Sequence, residues 1–194
     1  MAGPAIYNTA TKEGVDINQV FILDPTASPE YPAPPFNPGE VAWGTDGSSW
    51  VYCTANITIA KAKVVVISEV PASWSVALIG GATIAATVAP VGDLVGVVGG
   101  SLGSMFVPAP TGTQTKTFFW VQRAGNCPNI DCTAVTVKNA QLYSSATVAG
   151  RVFSTAGGAG TTYQINGVVV TQANGSVAGP NTAVLNFPVV GASA

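Results

Sequence analysis

The chain has 194 residues, of which 8% are charged and none is histidine, and its formal net charge is −2. That length is enough for a core without covalent staples, and the missing histidine removes the commonest general base and metal ligand. Basic residues scattered singly leave no nucleic-acid footprint, and no uninterrupted run of about 18 apolar residues offers a membrane-spanning helix.

The leading segment, residues 1–38, is expected to be an extended arm. Half of the 14 prolines fall in the first forty residues, and "DPTASPEYPAPPFNPGE" can form neither a helix nor an internal strand. Proline fixes φ and removes a donor, so this stretch should run close to polyproline II. "INQVFIL" within it reads as a short strand or docking segment. "MAGPAIYNTATKEG" lacks a basic region followed by an apolar core, so no secretory signal is expected. Residues 1–46 hold six acids against Lys12 alone, whereas the remainder carries six cations against three acids. An acidic arm over a mildly basic body is one reading of that split; a chance distribution of solvated charges is the other.

From Gly39 to Ala194 the pattern is that of one all-β domain. "EVAWG" and "SWVYCTA" flank "TDGS", and Asp46-Gly47 is a hairpin signal because φ > 0 is cheapest at glycine. "AKVVVISEV" is a valine-rich run suited to a strand, and "SWSVALIG" and "ATIAATVA" follow across Gly80-Gly81. "DLVGVVGG" carries glycines that suggest a bulge or a close backbone approach. "KTFFWVQRAG" alternates Phe118/Trp120/Gln122 with Phe119/Val121/Arg123. "TAVTVKN", "QLYSSA", "GRVFSTA", "YQINGVVVTQ" and "TAVLNFPVVG" complete a set of about ten short antiparallel strands, the pattern of a compact β-barrel or β-sandwich.

Chemistry has little to stand on here. Most of the acids lie in the leader, and Glu69, Asp93 and Asp131 sit singly, as solvated edge residues do. Cys53, Cys127 and Cys132 leave at least one thiol unpaired. Cys127 and Cys132 could staple a small loop, but a Cys-x4-Cys pair without histidine is a poor zinc site, and the simpler expectation is that all three are reduced and half-buried. No Gly-Lys-Ser/Thr follows the glycine clusters. No catalytic residue, cofactor or metal is expected, and the chain is read as a non-enzyme. The aromatic residues, among them Trp43, Trp50, Trp74, Trp120, Tyr52, Tyr143 and Tyr163, fit core and interface packing more simply than a sugar-stacking platform. So few charges, with positive mean hydropathy, suit a molecule whose exterior is covered by neighbours.

"GEVAWGTDGSSWVYCTANITIAKAKVVVISE" resembles the opening of the capsid decoration (head cement) proteins of tailed bacteriophages, with a glycine-introduced strand, a "G-x-D-G-x-x-W/Y-V-Y" hairpin and a valine-rich strand ending in an acid. "VGVVGGSLGSMFVPAPTGTQTKTFFWVQRAG" and the stretch from "AQLYSSA" to "LNFPVVG" resemble that family's later segments in the same order, so the likeness spans residues 39–191. The proline-rich leader and "GNCPNIDC" depart from the pattern. The resemblance implies a non-enzymatic virion protein, made in the host cytoplasm, that sits on the capsid exterior and clamps major capsid subunits, often as a homotrimer. Neither nucleic acid nor membrane is an expected partner. Phe21, Ile22, Leu23, Tyr31 and Phe36 in the arm, with Trp43 and Trp50 near the hairpin, are the expected subunit or capsid contacts. The alternatives are another virion component (tail tube, fibre or spike) and a glycan-binding surface module.

Overall fold

Short apolar runs punctuated by glycine and proline give no sustained helical period, and the computed structural model of the chain is all-β. It describes residues 6–8, 14–26, 33–69, 73–80, 92–99, 106–155 and 162–193. Among these lie thirteen strands in one mixed sheet, and no helix. They are β1 (Ile6–Asn8), β2 (Gly14–Val15), β3 (Phe21–Leu23), β4 (Val41–Gly44), β5 (Ser49–Ala55), β6 (Val64–Ser68) and β7 (Ser75–Leu78). After them come β8 (Leu94–Val98), β9 (Lys116–Cys132), β10 (Leu142–Ser144), β11 (Val152–Phe153), β12 (Tyr163–Val170) and β13 (Gly179–Ser193). The strand expected at 82–89 lies outside the described residues, as does Tyr31.

The expected hairpin forms. Gly47 takes φ +80°, and the Gly44 N–H donates to the Ser48 carbonyl at 2.8 Å, which closes the turn between β4 and β5. β9 is the organising strand. One circuit of pairings runs β5–β7–β6–β8–β9 and back to β5; a second runs β9–β11–β10–β12–β13 and back to β9. The expectation of purely antiparallel strands is corrected at two seams, where β5 meets β7 and β11 meets β9 in parallel.

β9 serves both circuits because it bends and continues past the point where a strand would be expected to stop. Gly125 (φ +91°) lets the backbone turn, and an added Cβ there would meet the Ser48 Cα at 2.7 Å. The Gln122 amide donates to the carbonyls of Ala124 (3.1 Å) and Asn126 (2.9 Å), pinning the bend. Pro128 is accommodated where the register with β13 shifts between Asn181 and Ala183, the kind of irregularity at which a strand tolerates a missing donor. "GNCPNIDC", where the sequence departs from the family pattern, is therefore strand.

Three cores follow from the alternation. Val51, Cys53, Val65, Ile67, Phe119 and Val121 fill the first circuit. Val64, Val66, Val95 and Val97 point the opposite way, into an aliphatic core shared with Ile130, Leu142, Ile165 and Leu185. β6 is thus buried on both faces, which is why it reads as a continuous apolar run instead of an alternating one. At Gly96 the predicted close approach is real: a Cβ would collide with the Val121 side chain and come within 2.9 Å of the Gln122 carbonyl oxygen.

"TAVTVKN" is a correction. It has the composition of a strand but forms consecutive turns. The Thr136 hydroxyl donates to the Thr133 carbonyl at 2.9 Å, and Val135 (φ +55°) and Asn139 (φ +59°) both sit in the left-handed region. A hydroxyl bonding its own backbone offers the chain an alternative to a ladder.

Candidate interaction surfaces

The third core lies on the outward face of β5 and β9, where Trp50, Tyr52, Phe118 and Trp120 stand together. It is covered by the chain's own leading segment. Val15 and Ile17 are buried in it, and Phe21, Leu23 and Phe36 pack against it. β3 pairs antiparallel with the start of β9, Phe21 opposite Phe118, and their rings meet edge-on at 6.0 Å. Phe36 sits edge-on to both Tyr52 (5.4 Å) and Trp120 (5.1 Å). Such offset aromatic pairs add about 0.5–1.5 kcal/mol beyond the area they bury.

These placements sort the expected contact residues. Phe21, Ile22, Leu23 and Phe36 are half-buried, and Phe21, Leu23 and Phe36 spend their apolar surface on this internal core. Trp50, 1% exposed and donating its indole N–H to the Ser48 hydroxyl at 3.1 Å, has no surface to offer a partner; its reading as a contact is corrected. The alternation of Trp50/Tyr52 and Phe118/Trp120 places them on one face, but that face is internal. With Trp50, Tyr52 and Trp120 buried, the aromatic residues do not form one open stacking platform.

Trp43 alone of the tryptophans is open, 47% exposed on the opposite face of the same sheet. Its ring lies 6.0 Å from that of Phe187, itself 45% exposed. Phe187 reaches this position because its backbone is left-handed (φ +45°), a conformation costing an L-residue about 1–2 kcal/mol. Beneath the pair lies Arg123, whose guanidinium carbon is 5.8 Å from the centre of the Phe187 ring. Among the described residues the Arg123 side chain donates one hydrogen bond, from Nη2 to the Pro188 carbonyl at 3.3 Å, and its buried Nε finds no acceptor there. Phe187 was not singled out in the sequence, and the one usable signal for Arg123 was a cation close behind the apolar run Phe118 to Val121.

A second open apolar group sits at the far end of β9. Val135 and Val177 are 71% and 76% exposed, on turns tied together by the Val135 N–H donating to the Gly175 carbonyl at 2.8 Å. Val137 is exposed on the first of these turns as well.

The polar residues do structural work. Asp131 is not a solvated edge residue: it is buried and takes Lys63 Nζ at 2.6 Å and Arg151 Nε at 3.0 Å, fastening β9 to the entrances of β6 and β11. Glu69 and Asp93 are not isolated either. Burial, with the Glu69 charge adding to it, raises the Asp93 carboxyl above its ordinary value. All three thiols are free and buried. Burial pushes Cys127 and Cys132 up to about 12 and raises Cys53 strongly, so none is a ready nucleophile. Among the described residues no group of three acidic, thiol or imidazole ligands converges, and no helix is long and apolar enough to cross a membrane. The sequence matches no protein-family model and no curated protein.

Proposed function

We propose that this chain is a non-enzymatic virion structural protein that binds the outer surface of a phage capsid and bridges major capsid subunits, assembling with copies of itself as a homotrimer. The observation that carries the reading is the pairing of very sparse charge, 8% of residues, with large apolar side chains left open at two separate places, Trp43/Phe187 and Val135/Val177. Contiguous apolar surface of that kind marks an interaction site in a protein that stays in solution. The ordered resemblance of residues 39–191 to the decoration proteins supplies the particular partner. The two closed circuits of pairings favour a compact β-barrel, and the proline-rich segment before Gly39 serves as its arm.

Affinity on a shell comes from modest apolar contacts repeated over many sites, so a shallow surface with no pocket is sufficient. The test is quantitative protein mass spectrometry on purified virions of the phage that encodes the chain, with gold-labelled antibody to place it. A copy number of the order of the major capsid subunits, with label around the head, is the expected result. Label on the tail transfers the chain to a tube, fibre or spike role, and its absence from virions overturns the reading.

A further inference from the structure

Arg123 sets a physical problem that the fold leaves unsolved. It is 9% exposed, yet no carboxylate forms an ion pair with it among the described residues, where the ion pairs are those of Asp131 with Lys63 and Arg151. Burying a cation without a counter-charge is expensive, and nature commonly offsets it with a carboxylate in hydrogen-bonding geometry. Burial pulls the guanidinium below its usual range, opposed in part by the Glu69 charge, which acts from beyond ion-pair distance, while Cys53 beside it is held protonated by its own burial. The Pro188 carbonyl and the face of the Phe187 ring are partial substitutes: a neutral acceptor and a quadrupole. The buried Nε remains without an acceptor.

The surroundings of this group are built in the manner of a recognition site. Trp43 and Phe187 flank it as two open aromatic rings, and Val41, exposed two residues before Trp43 on the same strand face, extends the apolar border. Arginine at the floor with aromatic residues at the rim is the composition that concentrates binding energy at protein interfaces. An apolar side chain fits the rings, and a carboxylate beside it fits the guanidinium fork.

We propose that Trp43, Phe187 and Arg123 form a docking site for a segment of a partner protein bearing a carboxylate next to a large apolar side chain. The carboxylate pairs with the η nitrogens of Arg123, since the Nε–H is sealed from outside, and the apolar neighbour lies against the Trp43 and Phe187 rings. The inference rests on this face alone and stands independently of the shell-binding reading.

A random peptide library displayed on filamentous phage, selected against the full-length chain, tests it. Enriched peptides are expected to share Asp or Glu adjacent to Leu, Phe or Trp. Arg123→Met should weaken a selected synthetic peptide by about thirty-fold or more, the usual cost of removing one partner of a buried charge pair. Changing the peptide's acid to its amide should cost as much, and the two changes together little more than either. Trp43→Ala, at an exposed position, gives a second variant that keeps the fold. Thermal unfolding of Arg123→Met at or above the parent's temperature is expected, since methionine fills the same space without a buried charge. A selection without acidic enrichment or without binders overturns the proposal. So does binding indifferent to both variants, or a marked loss of stability in Arg123→Met, which makes the arginine structural. Concentration-dependent self-association of the chain, abolished by Trp43→Ala in sedimentation, overturns it in favour of a second copy as the occupant.

Discussion

Two aromatic groups sit back to back on the sheet, and they have opposite fates. On one face Trp50, Tyr52, Phe118 and Trp120 are sealed by Val15, Ile17 and Phe36 from the leading segment. On the other Trp43 and Phe187 remain open above a guanidinium with an unused donor. The residue types hardly differ. What differs is whether the chain itself has a segment long enough, and apolar at the right spacing, to lie over them. An aromatic strand pattern therefore says that a face will be covered, without saying by whom.

The contrast breaks most visibly at Trp120. Trp120→Ala removes a fully buried indole and should cost about 3–5 kcal/mol in urea unfolding, whereas a loss under about 1 kcal/mol would mean that the leading segment does not seal this face in solution. Alkaline titration probes the buried side next. Burial, and secondarily the Glu40 charge, raises the Tyr52 phenol above its ordinary value, and the three thiols are raised as well. Groups held protonated in the folded state give up protons more readily when unfolded, so stability is complete below about pH 8 and falls progressively as pH climbs past the ordinary thiol and phenol values. Thermal melts from pH 7 to 11 should show that decline, and a flat profile would place these groups in water.

Smaller effects sharpen the comparison. Phe36→Ala deletes two edge-on contacts from a half-buried ring and should cost about 1–2 kcal/mol by chemical denaturation, with Tyr52 phenolate absorbance appearing at lower pH than in the parent. Trp43→Ala, on the open face, should move stability by no more than about 0.5 kcal/mol while lowering partner binding. Least of all, Asp93→Asn should raise the melting temperature slightly near neutral pH. A carboxyl whose value is raised on folding disfavours the native state once ionised, so the gain should vanish below the carboxylate range.

The same comparison bears on truncation. Removing residues 1–38 strips the cover from Trp120 and Tyr52, so any loss of partner binding in such a variant would include the effect of an exposed core. Substitutions at Trp43, or at Val135 on its exposed turn, test contact without uncovering the interior.

Some of this was legible in the residues and some was not. The Asp46-Gly47 hairpin and the strands of β6, β8 and β12 were readable because each depends on neighbours within a few positions, whereas Gly96 signalled a close approach without saying that distant Val121 would make it. The turns of 133–139 were misread as strand: Val135 and Val137 have β propensity, and the bond from Thr136 to its own backbone that overrides it leaves no mark in composition. The length of β9 was hidden by Gly125 and Pro128, both ordinary strand terminators, which here occupy a bend and a register shift supplied by β13.

By itself the sequence determined the fold class of the protein: short period-two segments between glycine and proline breaks allow sheets and little else, and the absence of histidine removes the commonest general base. The tertiary structure decided which side chains remain available. Coverage is a property of pairs of distant segments, set when β3 docks beside β9 and when a left-handed Phe187 swings over Arg123. Each of those choices joins residues far apart in the chain, and no local pattern encodes them.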